Sequence, residues 1–460
     1  MAHDADIVVV GAGAAGLFAS VWAARTLAAA GSGARGGALA RVIAVDGASK
    51  LGAKILVAGG GRCNVTHHSV DESAYAGSTR PAIRKVLRAF SVERTVEFFA
   101  SRGVELKREE TGKLFPTTDR AGDVLHALLG AAREAGVEIR HPWRVGRVVR
   151  ESGDTSGGFG FIIEREDGAA SLRARRVILA MGGKSLPKTG SDGSGFEVAR
   201  SLGHSITPHT FPALVPMLLE KGDPLTELSG ITVRAGVTLR AGTGKKLVTF
   251  VNSVLFTHFG LSGPGVLDIS RYWTAARLGS GVANDRPDPE ARLEMNLIPD
   301  ETFGSLDALL LRAAETGSDL GVARWLGNEF NIPERLARVL AIQAGVEPGA
   351  RVRSLSREAR RAVSRSVTEF PLRVIGDRGY LFAEATAGGV PLAEIDLATM
   401  ESRIMPGLHL CGEMCDVDGR IGGFNFQWAW SSGHVAGVGA ARGDRLGPRG
   451  ELIAHESGKE

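Results

Sequence analysis

Three glycines near the start of the chain have the spacing of a phosphate-binding turn. Gly11, Gly13 and Gly16 follow an apolar run at residues 7–10 and precede Ala-rich sequence suited to a helix. The first glycine allows a tight turn, the second lets the backbone approach a pyrophosphate, and the third lets helix and strand pack closely. The N–H groups at the start of the helix, at the positive end of its dipole, favour phosphate further. The stretch therefore predicts a dinucleotide site.

A second glycine-rich segment joins backbone freedom to polar side chains. Three consecutive glycines at positions 59–61 are followed by Arg62, Cys63 and Asn64. Glycines let the backbone lie flat against a planar or charged ligand, and the side chains of Arg62 and Asn64 supply hydrogen-bond donors. The segment is therefore a second candidate for ligand binding, and a plain turn is the alternative.

Two side chains are candidates for catalysis. Cys63 can face a bound cofactor, although no group in the sequence is seen to favour its thiolate, and a packed small residue is the alternative. His258 lies in the segment Thr-His-Phe-Gly-Leu-Ser-Gly-Pro at 257–264, where an imidazole can act as an acid–base group near neutral pH. The alternative for His258 is a structural role, in which the ring holds its loop by hydrogen bonds.

The composition is that of a soluble globular protein with two or three domains. The chain has 460 residues, 43% hydrophobic and 23% charged, which is enough for a substantial core. Its 55 Lys and Arg residues against 51 Asp and Glu residues give a net charge of only +4, and the basic residues are dispersed. A nucleic-acid partner is therefore not expected.

The cysteines and the N-terminal sequence indicate a cytoplasmic protein. Cys63, Cys411 and Cys415 are an odd and sparse set, which argues against a disulfide framework, and no paired His or second Cys cluster completes a zinc site. Residues 7–24 carry no charge, but two aspartates precede them within the first six positions and three glycines interrupt them. A strand, turn and helix explain that pattern, whereas a signal peptide or membrane span does not. We therefore expect no metal and no membrane contact.

An acidic residue ends the predicted second strand at residues 41–46. The Asp46 carboxylate is expected to accept hydrogen bonds from the ribose hydroxyls of an adenosine half, and an acid here disfavours a 2′-phosphate. Asp46 lies 46 − 16 = 30 positions after Gly16, longer than the usual spacing of about 20. We interpret the excess as an insertion, the Gly-rich loop at 31–38. The site should therefore prefer FAD or NAD to NADP.

Two later strand-to-glycine segments return the chain to the dinucleotide site. A buried strand at 176–181 ends in Gly182 and Gly183, where chain and cofactor can pass closely beside the first phosphate turn. A last strand at 404–411 leads through Gly412 to the glycine pair at 422–423, and a helix of small residues follows at about 427–441. The N–H groups at the start of that helix would suit a partly anionic acceptor.

Taken together, these motifs resemble one bacterial family. Their order is Gly-x-Gly-x-x-Gly, an acid after the second strand, Gly-Gly-Gly-Arg-Cys-Asn, a strand ending Gly-Gly, and a terminal block from Cys-Gly-Glu to Gly-Gly-Phe-Asn-Phe-Gln. This order resembles the FAD-dependent flavoproteins that include aminoacetone oxidase and a bile-acid 3-dehydro reductase, and it is more distantly similar to the succinate dehydrogenase flavoprotein fold. The resemblance covers nearly the whole chain. It departs at the loop 31–38 and at positions 414–415, where larger aliphatic side chains are expected.

The resemblance implies a role for each matching position. The phosphate turn would hold the FAD pyrophosphate, Asp46 the ribose, and the backbone at Val145 the adenine, while 60–64 would run beside the ribityl chain and flavin ring. Residues 413–416 would flank the ribityl and phosphate region, and 422–425 would close over the ring. The implied FAD-binding residues are Gly11, Gly13, Ala14, Ala15, Gly16, Asp46, Gly60, Gly61, Arg62, Cys63, Asn64, Val145, Gly182, Gly412, Glu413, Asp416, Gly422, Gly423, Phe424 and Asn425.

The sequence between the cofactor motifs has a different pattern of apolar and turn residues, which predicts an insertion. Short apolar runs alternate with Gly, Pro and polar turns over 205–295, and helical spacing dominates 302–370. The expected fold class is α/β: an FAD-binding, Rossmann-like, three-layer domain with an inserted β-rich domain and a helical segment. The predicted boundaries are 1–190 for the first part of the FAD domain, 191–300 for the β-rich domain, 301–370 for the helical segment, 371–385 for the return of the insertion, 386–445 for the second part of the FAD domain and 446–460 for a flexible tail.

The leading functional hypothesis is an FAD-dependent oxidoreductase. It would pass hydride, in either direction, between the flavin and a small organic substrate such as an amine or an activated alkene or ketone. No second strand–Gly-x-Gly-x-x-Gly–helix unit follows in the sequence, so NADH or NADPH would act as a transient electron donor rather than in a domain of its own. A second hypothesis is a flavin-binding regulatory or RNA-modification-related protein. A third, an NAD dehydrogenase with one Rossmann unit, leaves the segment 59–64 without a role.

Overall fold

The structure is a computed structural model, and it describes residues 3–30, 41–151, 160–280 and 286–443. The predicted Gly-rich loop at 31–38 and the predicted tail at 446–460 lie outside the described residues. The chain divides into two compact units, which we name the Rossmann unit (Met1–Thr210 with Ala385–Glu460) and the inserted unit (Phe211–Glu384).

The first part of the Rossmann unit alternates strands and helices. Its strands are β1 (Ala5–Val10), β2 (Val42–Val45), β3 (Thr66–His67), β4 (Tyr75–Gly77), β5 (Leu106–Arg108), β6 (Lys113–Pro116), β7 (Glu138–Arg140), β8 (Val145–Glu151), β9 (Gly160–Arg165) and β10 (Ser171–Leu179). Its helices are α1 (Ala14–Ala29), α2 (Ala53–Gly61), α3 (Arg80–Ala89), α4 (Val92–Ala100), α5 (Ala121–Glu134) and α6 (Ser194–Ser201).

The inserted unit begins with strands and ends with helices and two short strands. Its strands are β11 (Phe211–Ala213), β12 (Met217–Leu219), β13 (Thr232–Arg240), β14 (Lys246–Thr257), β15 (Gly260–Ser262), β16 (Arg292–Asn296), β17 (Phe370–Leu372) and β18 (Val374–Asp377). Its helices are α7 (Pro264–Leu278), α8 (Phe303–Glu315), α9 (Val322–Phe330), α10 (Glu334–Gln343) and α11 (Arg357–Thr368).

The chain then returns to the Rossmann unit through short strands and one long helix. These elements are β19 (Ala385–Ala387), β20 (Ile395–Asp396), β21 (Glu401–Ser402), β22 (Leu408–Leu410), β23 (Val417–Gly419) and α12 (Phe424–Arg442). The predicted last helix therefore begins at Phe424, directly after the glycine pair.

The main sheet of the Rossmann unit has β1 at its centre. The strand order is β20-β21-β22-β10-β1-β2-β7, and β1 pairs in parallel with both β2 and β10. Val8, Val9 and Ile43 are fully buried, as expected for strands that are covered on both faces and therefore apolar throughout. Because β2 and β10 lie on opposite sides of β1, the carboxyl ends of β1 and β10 form a topological switch point. Open α/β sheets bind their ligands at such a point.

Glycines let the last helix approach the first. A Cβ atom on Gly433 would lie 2.6 Å from the carbonyl oxygen of Ala15, and one on Gly437 would lie 2.3 Å from that of Ala19. Helix α12 therefore packs closely along α1, and its Trp430 contributes to an aromatic core there. The two sequence-distant parts of the Rossmann unit share one hydrophobic core as a result.

The inserted unit is built on an antiparallel sheet of order β17-β16-β13-β14-β15-β12-β18 with its own hydrophobic core. The sequence pattern predicted a mostly β segment over 205–295, and the sheet strands found there agree with that prediction. Helix α7 in the same segment was not predicted. Its signal was present, because Val266, Ile269 and Trp273 have helical spacing and Pro264 occupies the first turn, where proline is favoured.

The unit boundaries differ from the predicted domain boundaries at the start of the insertion. We predicted that the insertion would begin at 191, whereas the inserted unit begins at Phe211. The reason is α6, whose Val198 and Ala199 are buried in the core of the Rossmann unit. At the other end the inserted unit stops at Glu384, one position before the predicted 385.

Candidate functional site

The Gly-x-Gly-x-x-Gly turn joins β1 to α1, and each glycine has a different environment. Gly11 has a φ of +98°, and a Cβ atom there would lie 2.4 Å from the carbonyl oxygen of Ala180. A Cβ atom on Gly16 would lie 1.7 Å from the carbonyl oxygen of Gly11, so only glycine lets α1 pack against the turn. At Gly13, by contrast, a Cβ atom would meet no described atom within 4 Å. The backbone at Gly13 therefore faces open space.

Helix α1 begins at this turn without a capping side chain. Its N-cap residue is Gly13, and no side chain in the described chain caps the helix. The first N–H groups of a helix have no partner within the helix, and they lie at the positive end of its dipole. An anion at this position would satisfy them, which is the arrangement of dinucleotide-binding turns.

Asp46 holds the turn from the end of β2. Its Oδ2 atom accepts a hydrogen bond of 2.7 Å from the N–H of Ala12, and its Oδ1 atom accepts one of 2.8 Å from the N–H of Ala48. An ionised carboxylate has about four acceptor positions, so these two bonds leave capacity for ribose hydroxyls. The carboxylate therefore stabilises the phosphate turn, and it is also the group predicted to bind the ribose.

The loop after β22 comes to the same place from the far end of the sequence. Gly412 has a φ of +71°, and a Cβ atom on it would lie 2.8 Å from the Cβ of Ala15 in the first turn of α1. The N–H of Gly412 donates to Ser432 Oγ at 3.0 Å, and its carbonyl oxygen accepts from the indole N–H of Trp428 at 3.0 Å. Helix α12 thus fixes the loop against the phosphate turn.

The segment 59–64 ends the regular part of α2, and four of its six residues have left-handed backbone, while Arg62 between them is right-handed. Gly59, Gly60, Gly61 and Cys63 have φ values of +58°, +69°, +87° and +60°. A Cβ atom on Gly60 would meet no described atom within 4 Å. Left-handed positions suit glycine and are strained for cysteine, so the segment presents bare backbone with one conformationally unfavourable residue.

Asn64 carries a buried polar atom that no described protein group pairs with. Its side chain is only 8% exposed, and its Oδ1 atom is buried without a hydrogen-bond partner among the described residues. Buried polar atoms are normally paired, because leaving one unpaired costs about 1–3 kcal/mol. Together with the open backbone at Gly13 and Gly60 and the uncapped α1, this orphaned oxygen shows that the residues present fit FAD.

Arg62 is directed differently from its neighbour Asn64. Its Nη1 atom lies 2.7 Å from Glu109 Oε1 and 3.6 Å from Asp119 Oδ1, and its guanidinium carbon lies 4.0 Å from the ring centroid of Phe115. The hydrogen bond to Glu109 is the largest of the effects that raise the pKa of Arg62. Arg62 is thus engaged by protein groups, and its predicted contact with FAD remains a prediction.

Glu413 is the centre of a polar cluster that the sequence did not predict, which we name the Glu413 cluster (Lys54, Ser185, Thr386 and Glu413). The carboxylate lies 2.7 Å from Lys54 Nζ, accepts 2.6 Å from Ser185 Oγ, and accepts 2.7 Å from the N–H of Thr386. Burial acts to raise the pKa of this carboxyl, but the charge of Lys54 and these hydrogen bonds outweigh it and lower the pKa. The carboxylate is therefore kept ionised.

The Glu413 cluster joins loops at the carboxyl edge of the main sheet. Ser185 follows β10 and Glu413 follows β22, which pair in parallel, while Lys54 comes from the first turns of α2. The sequence offers only a weak indication of Lys54, which is that this residue lies shortly before the glycines 59–61. Ser185 and Thr386 carried no signal, because an isolated hydroxyl residue is common and the sequence does not show that either lies beside Glu413, which is 228 positions from Ser185 and 27 from Thr386.

The segment that leads into α12 is held by its own side chains. Asn425 Oδ1 accepts from the N–H of Gly419 at 2.8 Å, and Asn425 Nδ2 donates to the Gly419 carbonyl at 2.9 Å. Gly422 and Gly423 have φ values of +127° and +95°, and no described side chain caps α12. The ring of Phe424 stacks on His67 with centroids 4.9 Å apart. The amide of Asn425 therefore shapes the loop, and the backbone N–H groups are what the loop offers to a ligand.

The remaining predicted FAD-binding positions are ordered parts of the Rossmann unit. Val145 is 5% exposed at the start of β8. Gly182 has a φ of +77° and lies against Ser191, near the carboxyl end of β10. Asp416 accepts from the N–H of Ser78 at its carbonyl oxygen, at 2.8 Å. Their contacts with FAD stay predictions.

The two catalytic candidates differ in exposure. Cys63 is fully buried, and burial raises the pKa of its thiol to about 12, so the thiol is protonated at neutral pH. His258 is exposed at the two-residue turn between β14 and β15, where its ring contacts Phe259 with centroids 5.1 Å apart. Burial disfavours a nucleophilic role for Cys63, whereas the His258 side chain is exposed.

Cys411 and Cys415 are buried and free of disulfides, like Cys63. Burial raises the pKa of the Cys411 thiol to about 12 and raises that of Cys415 further. Within the described residues, no group of three or more His, Cys, Asp or Glu side chains is arranged to hold a metal ion. The helices of the described chain include none with the length and apolar character needed to cross a membrane.

The sheet order, the switch point and the glycine-built turn define a Rossmann-type dinucleotide-binding fold. Residues 5–439 match the family described as HI0933-like protein Rossmann domain, and the chain belongs to this FAD-dependent family.

Two curated relatives match along almost their whole length. The chain is 32% identical over 431 residues to the "Ribosomal RNA dihydrouridine synthase" of Escherichia coli strain K12, covering 93% of this chain and 96% of the relative. It is also 32% identical over 436 residues to the "3-dehydro-bile acid delta(4,6)-reductase" of Clostridium scindens, covering 95% and 98%. Among solved structures, a 3-ketosteroid delta1-dehydrogenase from Sterolibacterium denitrificans matches with a TM-score of 0.47 and 14% identity, covering 95% of this chain and 99% of that one.

Proposed function

We propose that this protein is an FAD-dependent reductase that saturates a carbon–carbon double bond conjugated to a carbonyl group in a small organic substrate. The observation that carries the proposal is the orphaned, buried Oδ1 atom of Asn64 beside the bare left-handed backbone at 59–61. Buried polar atoms are normally paired, and a planar cofactor with hydrogen-bonding edges would supply a partner for this one. When bound, FAD supplies a flavin ring that can take up or release a hydride.

The residues proposed to hold FAD are those of the switch point. The phosphate turn with Gly13 and the uncapped start of α1 would bind the pyrophosphate, and Asp46 would bind the adenosine ribose. The segment 60–64 and the start of α12 would hold the ribityl chain and flavin ring. Val145 would meet the adenine through its backbone.

The names of the curated relatives support the reductive direction. One relative is named for reducing the Δ4,6 double bonds of a 3-dehydro bile acid, and the other for forming dihydrouridine, which is uridine with two hydrogens added. In both cases hydrogen is added to a carbon–carbon double bond that is conjugated to a carbonyl group. Such a reduction adds a hydride at the far carbon and a proton at the carbon next to the carbonyl, and FAD, when bound in its reduced form, would supply the hydride with its electron pair.

Such a reaction requires a proton donor and an electron supply. His258 is the candidate donor, because an exposed imidazole can carry a proton near neutral pH. The Glu413 cluster keeps a fixed negative charge and a fixed positive charge at the carboxyl edge of the sheet, where they orient the loops that follow β10 and β22. NADH or NADPH is the proposed electron donor, acting transiently.

The test is anaerobic flavin spectroscopy on the purified protein. The flavin would be reduced with NADH, NADPH or light, and its reoxidation would be followed after addition of 4-androstene-3,17-dione or oxygen. In parallel, the oxidised flavin would be mixed with a panel of primary amines. We expect the conjugated ketone to reoxidise the flavin and no amine to reduce it. Reduction by an amine, with no reoxidation by the ketone, would refute the proposal.

Reduction of uridine in RNA is the second candidate. It is favoured by the E. coli relative and by a relative from Haemophilus influenzae, 29% identical over 444 residues and covering 96% of this chain, which carries the same name. One experiment distinguishes the two candidate functions: reduced protein is mixed with ribosomal RNA that lacks dihydrouridine. Dihydrouridine formed by the purified protein, detected by mass spectrometry of the nucleosides, would favour the second candidate. Reoxidation by the ketone without RNA product would favour the first.

A further inference from the structure

The inserted unit carries an arginine that is stacked on aromatic rings at its surface. The guanidinium carbon of Arg378 lies 3.4 Å from the ring centroid of Phe382 and 4.2 Å from that of Phe259. Among the described residues, its side chain has no acidic partner within salt-bridge distance, and it makes these ring contacts instead. We name Phe259, Arg378 and Phe382 the stacked-arginine cluster.

The sheet of the inserted unit brings this cluster together. Strand β12 pairs with β15 on one side and with β18 on the other, and Leu218 is opposite both Gly260 and Gly376. Phe259 directly precedes Gly260, and Arg378 follows Gly376 by two positions. Residues 378 − 259 = 119 positions apart are therefore neighbours at one edge of the sheet.

Exposed apolar side chains lie close to the arginine in the sequence. Ile375, Leu381 and Phe382 are 62%, 55% and 44% exposed. They make up three of the eight large hydrophobic side chains that are exposed in the described chain, yet they lie within eight consecutive positions. Exposed apolar groups concentrated in this way mark a binding surface rather than scattered surface residues.

Two other arginines of the inserted unit show the commoner arrangement, an acidic partner. Arg234 lies 2.7 Å from Asp300, and Arg360 lies 2.8 Å from Asp307. The donors of Arg378 are held in a fixed plane by its stacked rings, and the fork of a guanidinium matches a carboxylate in geometry and charge. A ligand that carries one carboxylate on an apolar body would satisfy both the cation and the exposed aliphatic groups around it.

We propose that the stacked-arginine cluster binds the carboxylate of an apolar organic acid, and that Arg378 thereby selects acidic over neutral ligands of the same shape. As a statement about substrate class, this rests on the proposed function. RNA fits the surface less well, because a nucleic acid backbone calls for several cations in a row. The segment that carries Arg378 also carries Asp377 and Glu384, so its charge is balanced.

The test measures binding rather than turnover, with two probes that differ at one group. The probes are 3-oxo-4-androstene-17β-carboxylic acid and progesterone, which has a methyl ketone in place of the carboxyl group. Binding to the full-length oxidised holoprotein is measured by equilibrium dialysis. We expect the acid to bind about tenfold more tightly than progesterone, in line with a charge-assisted hydrogen bond. Arg378→Gln should remove this preference by weakening acid binding alone.

Three further variants keep the outcome interpretable. Phe382→Ala should weaken both probes, because it removes apolar contact as well as the stacking surface. Arg378→Lys keeps the charge and should retain part of the preference. Arg361→Gln is the matched control, since Arg361 also lies over a phenyl ring, that of Phe303, with its guanidinium carbon 5.1 Å from the centroid. It should leave both affinities unchanged.

Equal binding of the two probes by the wild-type protein would overturn the inference, as would an unchanged preference in Arg378→Gln. Its failure is distinguishable from failure of the proposed function, because reoxidation of the reduced flavin by each probe is measured separately. Reoxidation by both probes with no effect of Arg378→Gln on affinity would leave the reductase proposal standing and refute the carboxylate site. Arginine-dependent binding of the acid without any reoxidation would support the carboxylate site and refute the reductase proposal.

Discussion

The two compact units present themselves to ligands in opposite ways. At the switch point of the Rossmann unit, the groups proposed to bind FAD are mostly backbone: the open turn at Gly13, the bare segment at 59–61 and the uncapped starts of α1 and α12. On the inserted unit, the candidate ligand surface consists of side chains, with Arg378 stacked on two rings. The surface of the Rossmann unit depends on glycines, which leave the backbone accessible. The surface of the inserted unit depends on contacts between particular side chains.

This difference decides how each surface responds to substitution. A backbone surface is weakened by any added side chain and is lost when that side chain is large enough to fill it, even if the side chain is chemically inert. A side-chain surface is lost only when the particular group is removed. Substitutions that disrupt one surface and leave the other intact therefore test this difference between the two units.

The largest expected effect comes from two substitutions three positions apart in the phosphate turn. Gly16→Val should prevent folding of the Rossmann unit, because its Cβ atom would lie 1.7 Å from the carbonyl oxygen of Gly11. Gly13→Val should fold, since its φ of −80° suits any residue and its Cβ atom meets no described atom within 4 Å. It should nevertheless lose FAD, because the added side chain fills the space proposed for the pyrophosphate.

Yield of soluble protein, circular dichroism and the flavin-to-protein absorbance ratio separate these outcomes. Gly13→Ala serves as a graded control that should fold and retain FAD weakly. A Gly13→Val protein with a full complement of FAD would contradict the assignment of this turn to the pyrophosphate.

A smaller effect is expected at the Glu413 cluster. Glu413→Gln leaves the ammonium group of Lys54 without its charge partner, and we expect a loss of about 1–3 kcal/mol in the free energy of unfolding at pH 7. The folded-state pKa of Glu413 is lowered, so its contribution is fully present above the unfolded-state pKa near 4.5 and is lost as pH falls through the lower folded-state pKa. The difference in stability between wild type and variant should therefore shrink below about pH 4.5.

Thermal and urea unfolding from pH 3 to pH 8 would measure this difference. Glu109→Gln is the matched control, because Glu109 pairs with Arg62 at the same distance of 2.7 Å but both side chains are about a third or more exposed. Exposed pairs contribute about 0–1 kcal/mol, so the control should lose little. Equal losses in both variants, or a constant difference at all pH values, would show that Glu413 is not a buried charge centre.

Much of the Rossmann unit could be predicted from the sequence, because its elements follow local rules. An apolar run, three spaced glycines and Ala-rich sequence specify β1, the turn and α1, and the structure has them at Ala5–Val10 and Ala14–Ala29. The start of the last helix after Gly422-Gly423 follows from the same rules. The Glu413 cluster could not be predicted in this way, since its four members come from four separate segments.

His258 tests whether side chains of the inserted unit matter to turnover. We expect His258→Ala to retain FAD fully and to lower turnover with a conjugated ketone by about a hundredfold, the usual scale of general acid catalysis. His126→Ala is the control, because His126 is also exposed but lies on α5 in the Rossmann unit. Steady-state kinetics with flavin content measured on the same samples would decide the matter. Unchanged turnover in His258→Ala would remove this residue from the reaction.

The inserted unit was less predictable for a physical reason. Its strands and helices have the expected periodicities, but the stacked-arginine cluster depends on the order of strands in the sheet. Nothing in the sequence near Phe259 or Arg378 indicates that β12 lies between β15 and β18. The segment 375–382, which mixes apolar residues with two glycines, an aspartate and an arginine, also resembles an ordinary strand end and turn until its exposure is known.

The smallest effect of a substitution is expected at Cys63, where the backbone and the side chain have different roles. Its backbone is left-handed like that of the glycines 59–61, whereas its thiol is fully buried with a pKa raised to about 12. At pH 8 only about one thiol in ten thousand would be ionised, so 5,5′-dithiobis(2-nitrobenzoate) should label none of the three cysteines until the protein is unfolded. Cys63→Ala should keep FAD and change turnover by less than about twofold, because the backbone conformation, not the sulfur, is what the segment contributes. Rapid labelling of Cys63 in the native protein, or loss of turnover in Cys63→Ala with FAD retained, would instead make its side chain part of the reaction.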